Sequence, residues 1–575
     1  MTTPPLKKQR LPIGVDDYQE LINGNFVYID KTLLIQEFWE SGSKVVLIAR
    51  PRRFGKSIAL SMLRYFFEKT EESTAYLFEN SAIWKEQGFK ELQGTYPVIH
   101  ISFKDIKATT WEEAYLELQE LLIEETKRTL KTLFPLMDED GKEQYESLIK
   151  KKANTAEFSG SLFFITKMFK ECLNKQTIIL IDEYDSPITT AYIHNYYTPM
   201  ITFMSQLLSK ALKGNIHLER GLMTGVVRTA KDGILSGLNN LDIYTMLEAG
   251  YSDKFGFTQN ETEELLLKAG RLDKKEEVRS WYNGYVIGAE YLSDPKTAHY
   301  STKVYNPWSV LSYLKGAVSP KPYWVNTGSL GILERLIAES GEETQRDLQI
   351  LLENNELENK QINQDVILLD LDKKHIEPWS FLLFAGYLTA TKHCFQNDEN
   401  YYTLAIPNKE IAKLYKNLVT TVIHRAFAPN KLQKLLEGLI AGKVDEVNSL
   451  LSEFINSLCS SHDLPQNDKE RSLHMFVLGL LSSLSERYTI KSNLESGLGR
   501  FDIIMLPKKN DLAVVIELKK GKSLQELDSL SSQALQQIQE KKYLSLIRDF
   551  NYSGKVLCYG IAIFKKHLVA KMEIR

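Results

Sequence analysis

Residues 45–57 read VVLIARPRRFGKS and run on into IALSMLRYFFEK at 58–69. Val45 to Ala49 are all apolar, and three of the five are β-branched, the pattern of a strand buried on both faces. The later segment spaces its apolar residues as one face of a helix. Between them Arg53, Phe54, Gly55, Lys56 and Ser57 form a turn that opens this helix. Such a turn aims loop amides and the positive end of a helix dipole at one point, which suits phosphate groups. Lys56 adds a charge there, and the Ser57 hydroxyl is a hard oxygen ligand for Mg2+. The full spacing G-x-x-x-x-G-K-[ST] needs glycine at position 50, where the chain has Arg50. On this segment alone, a surface loop that merely contains Gly-Lys-Ser stays open as the alternative.

A second stretch, IILIDEYDSPI at 178–188, narrows that alternative. Four apolar residues end at Asp182 and Glu183, and the C-terminal edge of a parallel strand is where ligands bind in α/β sheets. Asp182 is positioned to hold Mg2+, directly or through water, and Glu183 to polarise the water that attacks a γ-phosphate. A solvated acidic strand end is the bland alternative. A third strand candidate, Glu219 to Val226, brings Thr224 to its end as a polar group beside the γ-phosphate. Arg228 follows, and capping a helix or pairing with Asp232 suits it as well as neutralising charge, in cis or in a neighbouring subunit. With β-branched runs at Val45 to Ala49, Val98 to Phe103 and Thr177 to Ile181 alternating with helical stretches, the chain to about residue 250 reads as α/β with a parallel sheet.

Outward from there, residues 251–435 read as a mostly helical, lid-like middle region broken by aromatic turns, and residues 436–575 as a compact α/β unit. Within the last unit, ESGLGRFDIIML (495–506) and LAVVIELKKGK (512–522) form a hairpin. Asp502 lies early on its first strand, and Glu517 and Lys519 lie two apart on its second, hence on one face. Two carboxylates in otherwise apolar strands are costly unless they bind something. A divalent ion beside a scissile phosphate is a natural partner, with Lys519 orienting the attacking water or steadying the phosphorane. A solvated hairpin edge could carry the same residues. A helix over about Leu524 to Ile547 follows, with Gln533, Gln537 and Tyr543; Glu495 could add a carboxylate, and His474 reads as an ordinary core or surface histidine.

Composition limits the remaining choices. At 575 residues the chain exceeds one hydrophobic core. A formal net charge of −3 gives no whole-protein attraction to nucleic acid, yet residues 500–575 hold 14 Lys/Arg against 8 Asp/Glu. That local excess suits phosphate contact, and a solvated basic helix face explains it equally well. Cys172, Cys394, Cys459 and Cys558 are too scattered for a zinc site or a disulfide framework. No apolar run is long enough for a membrane span, so a cytoplasmic location without membrane partners is expected.

The segments LPIGVDDYQELINGNFVYIDKT (11–32), RPRRFGKS (50–57), IDEYDSP (181–187), SGLNN (236–240), WYNGY (281–285), VYNPWSVL (304–311), YWVNTGS (323–329) and AGYLT (385–389) span most of the chain. Together they resemble the AAA-ATPase-like family of bacterial proteins that carry a C-terminal PD-(D/E)XK nuclease domain. In that family the phosphate loop itself reads R-P-R-R-F-G-K-S, so Arg50 departs from the generic motif and not from the family. The resemblance implies a P-loop NTPase sheet of the ASCE/AAA-like kind, with an additional strand between the phosphate-loop and acidic strands for which the run Val98 to Phe103 is the candidate. It further implies a restriction-endonuclease-like C-terminal α/β domain with Gln537 beside its site, and it assigns no chemistry to the middle aromatic segments, for which packing is favoured. The reading that follows is a protein that uses ATP and Mg2+ and whose nuclease acts on nucleic acid, DNA favoured over RNA. Foreign-DNA defence or mobile-element biology is the expected setting, and a homo-oligomer is compatible with it. The alternative is a nucleotide switch whose C-terminal domain binds nucleic acid or a partner protein without cutting.

Overall fold

In the computed structural model, residues 10–227, 240–316, 319–324, 333, 342–364, 378–460, 477, 479–480, 483–494, 501–509, 511–540, 552–564 and 567–575 are described. Arg228, His474, Glu495 and Tyr543 lie outside them. The chain divides into two compact units. Met1–Trp324 with Glu358–Glu410 forms the first, and Val325–Leu357 with Ile411–Arg575 forms the second. Among the described residues no helix is long and apolar enough to cross a membrane.

The first unit is built on five parallel strands, β1 (Val45–Ala49), β2 (Val98–Ser102), β3 (Thr177–Asp182), β4 (Leu218–Gly225) and β5 (Leu241–Tyr244), in the order β2-β3-β4-β1-β5. Every residue of β1 and β3 is buried, as a central strand covered on both faces requires. The strand interposed in space between the phosphate-loop strand and the acidic strand is β4. The run Val98 to Phe103, read from the sequence as that strand, instead forms β2 at the sheet edge beyond β3. Chain order misled here because consecutive strands of a parallel sheet need not be neighbours. The insertion places Thr224, at the end of β4, beside both β1 and β3.

The middle of the chain also carries short strands that its helical and aromatic pattern did not disclose. They are the antiparallel pair β6 (Tyr285–Ile287) and β7 (Thr302–Val304), and a sheet of β8 (Glu356–Gln361), β9 (Thr389–Gln396) and β10 (Glu399–Ala405) in the order β8-β10-β9. β6 and β7 are three residues each, too short for an alternation to register.

The second unit holds a five-stranded mixed sheet of β11 (Tyr488–Leu494), β12 (Phe501–Pro507), β13 (Ala513–Lys520), β14 (Val556–Phe564) and β15 (His567–Ile574), in chain order, with only β13 and β14 parallel. The β12–β13 hairpin read from the sequence is present. Ala513, Val515, Val556 and Cys558 pack with Leu535 and Ile538 of the Leu527–Glu540 helix on one face. On the other face Tyr559 donates its hydroxyl to the Leu439 carbonyl of the Pro429–Ala441 helix. Gly560 sets the approach of the Leu527–Glu540 helix, since a Cβ there would come within 2.2 Å of the Ser531 carbonyl oxygen. Gly560→Ala is therefore expected to cost about 1–3 kcal/mol through overpacking, read as faster hydrogen exchange in β14. Unchanged exchange would show that the helix does not lie this close.

Candidate functional sites

The turn after β1 begins with Arg50, which replaces the glycine of the generic spacing and lies fully buried. Its guanidinium does not line the loop. It donates to the carbonyls of Ala49, Tyr244, Thr245 and Gly250, and so ties the loop to the turn that follows β5. Arg53 and Gly55 take left-handed backbone, with φ of 67° and 90°. Gly55 adopts it without steric cost and caps the Lys56–Phe67 helix. Lys56 is buried and donates its ammonium to the Arg50 and Pro51 carbonyls, each at 2.9 Å. Burial lowers its pKa below the ordinary lysine value, opposed by the charges of Glu183, Asp182 and Asp185.

One carboxylate connects the ends of β3 and β4 to the first turn of the Lys56–Phe67 helix. Asp182 accepts from the Ser57 hydroxyl through Oδ2 and from the Thr224 hydroxyl through Oδ1, both at 2.6 Å. The structure thus brings together the Ser57, Asp182 and Thr224 singled out in the sequence, within reach of Lys56. Glu183 sits next in the chain with φ 52°, a left-handed conformation that an unbranched acidic residue adopts only when its surroundings enforce it. Burial raises its carboxyl pKa, which Lys56 opposes and Asp182 and Asp185 reinforce.

Two neighbours that the sequence reading passed over fix this strand end. Tyr184 donates its hydroxyl to the Val227 carbonyl, and buried Asp185 accepts from the amides of Val226 and Val227 at 2.9 and 3.1 Å. Together they hold the chain where it leaves β4. Their position directly after Glu183 was the available signal.

The middle aromatic segments do pack, and what they pack on is the loop itself. Gly386, at φ 86°, lies so near Pro51 that a Cβ would come within 2.7 Å of the proline Cβ. The Trp324 indole donates to the Arg52 carbonyl at 3.0 Å. The Arg53 guanidinium stands 4.3 Å over the Trp308 ring, and Phe54 meets Tyr285 edge to face at 5.0 Å. Each residue from Pro51 to Phe54 is thus held by a different one of the four motifs AGYLT, YWVNTGS, VYNPWSVL and WYNGY.

In the second unit Asp502 on β12 is the direct cross-strand partner of Glu517 on β13, so the two positions share a face of the sheet. Glu517 pairs in parallel register with Gly560, which faces the Leu527–Glu540 helix. Glu517 is wholly buried, and among the described residues neither carboxylate oxygen has a hydrogen-bond partner. Lys519 follows two residues on, half-buried on the same face. Gln537 is buried on the helix, and its Nε2 also lacks a partner among the described residues. An unpartnered buried carboxylate costs several kcal/mol, which a hard cation would offset.

Comparison with known proteins agrees with the two-part architecture read from the sequence. Residues 12–235 match the family model described as a predicted AAA-ATPase, and residues 468–573 match that of the PD-(D/E)XK nuclease superfamily. The chain joins an AAA-ATPase-like domain to a PD-(D/E)XK nuclease domain. It is also 25% identical, over 561 residues and 94% of each chain, to an uncharacterized protein in the vnfD 5' region of Azotobacter chroococcum mcd 1. The Ser57–Asp182–Thr224 junction lies within the first matched stretch, at the C-terminal ends of β3 and β4. Asp502, Glu517 and Lys519 lie within the second matched stretch. Among the described residues no three His, Cys, Asp or Glu side chains gather into a metal centre. One or two carboxylates, completed by phosphate oxygens and water, are the usual protein share of a Mg2+ site.

Proposed function

We propose that the chain binds and hydrolyses ATP in its first unit and cleaves DNA phosphodiesters, with Mg2+, in its second. The observation that carries the nuclease half is Glu517, buried with both oxygens unpartnered and directly opposite Asp502. A domain that only bound nucleic acid or a partner protein would gain nothing from that cost.

On the nucleotide side, the loop amides and Lys56 cradle the phosphates, while Ser57 and Asp182 fit a Mg2+ ion as hard oxygen donors already aligned on each other. Glu183 accepts the proton of the attacking water. Its raised pKa brings it closer to the operating pH of a general base. Thr224 fixes the Asp182 carboxylate and presents its hydroxyl at the end of β4. In the nuclease, Asp502 and Glu517 would hold a separate Mg2+ ion, whose chemistry there would be to lower the pKa of a bound water and to polarise the phosphate. Lys519 orients that water and balances charge on the phosphate. The local excess of Lys and Arg over residues 500–575 suits a polyanion.

The test is cleavage of labelled duplex DNA, single-stranded DNA and RNA with Mg2+, with and without ATP, by the parent and by Lys519→Ala. The parent is expected to cut DNA and Lys519→Ala to be slower by about a hundredfold or more. Activity equal in both would remove Lys519 from the site. Binding without cutting by the parent would favour the switch.

A further inference from the structure

The chain passes from the first unit to the second after Trp324, returns at Glu358, and passes again after Glu410. The residues at the first and last of these crossings are bonded to each other. The Glu410 carboxylate, fully buried, accepts the backbone amides of Tyr323 and Trp324 and the hydroxyl of Ser309. Burial pushes its carboxyl up to about 7, opposed by these same three donors. From Glu410 two arms reach the phosphate loop. Trp324 donates its indole N–H to the Arg52 carbonyl, and Trp308, beside Ser309, lies under the Arg53 guanidinium. Trp308 in turn donates to the Tyr323 carbonyl at 3.3 Å, which closes the ring. Arg52, Arg53, Trp308, Ser309, Tyr323, Trp324 and Glu410 thus form one continuous circuit.

Phosphate binding acts on the backbone of this loop. The Arg52 carbonyl and the left-handed Arg53 cannot turn without moving Trp324 and Trp308, and neither tryptophan can move without disturbing the bonds to Glu410. We propose that Trp324 and Glu410 are positioning residues that carry the nucleotide-dependent state of the phosphate loop to both chain crossings into the second unit. The proposal rests on the nucleotide reading above and supplies the coupling which that reading leaves open. It does not depend on the nuclease cutting DNA.

The test is hydrogen exchange of the full chain with and without Mg2+ and a slowly hydrolysed ATP analogue. The peptides followed cover the Glu342–Asn354 helix, which lies between the first crossing and the return, and the Lys409–Ala426 helix, which contains the last crossing. The variants are Trp324→Phe, which keeps the ring and removes the indole donor, Glu410→Gln, which keeps an acceptor for the two amides, and Glu410→Leu, which keeps none. The parent is expected to change exchange in both peptides when the analogue binds. Trp324→Phe and Glu410→Leu should bind the analogue yet lose about fivefold of that change, the worth of one hydrogen bond, and Glu410→Gln should restore most of it. A parent that binds the analogue with no change in either peptide, or variants that bind it and respond as the parent does, would overturn the coupling. A parent that does not bind the analogue would overturn the nucleotide reading and the coupling with it. If Glu410→Leu does not fold, Trp324→Phe alone decides.

Discussion

Glu517→Gln is expected to lower Mg2+-dependent DNA cleavage by about a thousandfold or more, because it removes a charged ligand from an ion that supplies the nucleophile at neutral pH. The same change should stabilise the second unit by about 1–3 kcal/mol when divalent ions are chelated, since it removes a buried charge whose oxygens have no hydrogen-bond partner among the described residues. The two effects have opposite signs, and misfolding could not produce both. Adding Mg2+ should protect β13 from hydrogen exchange in the parent and not in the variant, which reads the ion without reference to turnover. A variant that loses cleavage but keeps its Mg2+ response would place the ion elsewhere on the sheet.

Glu183→Gln is expected to bind ATP within a few fold of the parent and to hydrolyse it about 10²- to 10⁴-fold more slowly, the range for loss of a positioned general base. Its pH profile carries the sharper prediction. Burial raises the Glu183 carboxyl above the usual range, so its protonated and inactive form persists to higher pH than an ordinary glutamate's would. Hydrolysis by the parent should fall as pH drops through that raised value, and the acid limb should vanish from the residual rate of the variant. Single-turnover rates across pH measure this directly. A variant with the parent's turnover would remove Glu183 from the role of general base and leave Asp182, already accepting from Ser57 and Thr224, and Asp185, already accepting from two amides.

The sequence disclosed those parts whose physics is local. β1 and β3 declare themselves because a strand covered on both faces must be apolar throughout, and Asp182 and Glu183 interrupt such a run at its functional end. The pairing of Asp502 with Glu517 followed from a hairpin whose two strands are close in sequence. β5 was not legible, because LDIY is short and only partly buried at the sheet edge, nor was β15, whose exposed edge mixes charges with apolar residues. The clasp around the phosphate loop was beyond reach for another reason. The partners of residues 51–54 lie more than 200 residues away, and an aromatic turn reads the same whichever surface it covers. Arg50 shows the converse, since its oddity was plain while its four carbonyl acceptors were not.

The second unit draws on residues 325–357 as well as on everything after 410, while the first cannot be completed until residue 410 has been made. Neither piece can therefore be freed by a single proteolytic cut or expressed whole from one start site. On the ribosome the first unit must wait while a portion of the second is already exposed, so the two are committed to maturing together.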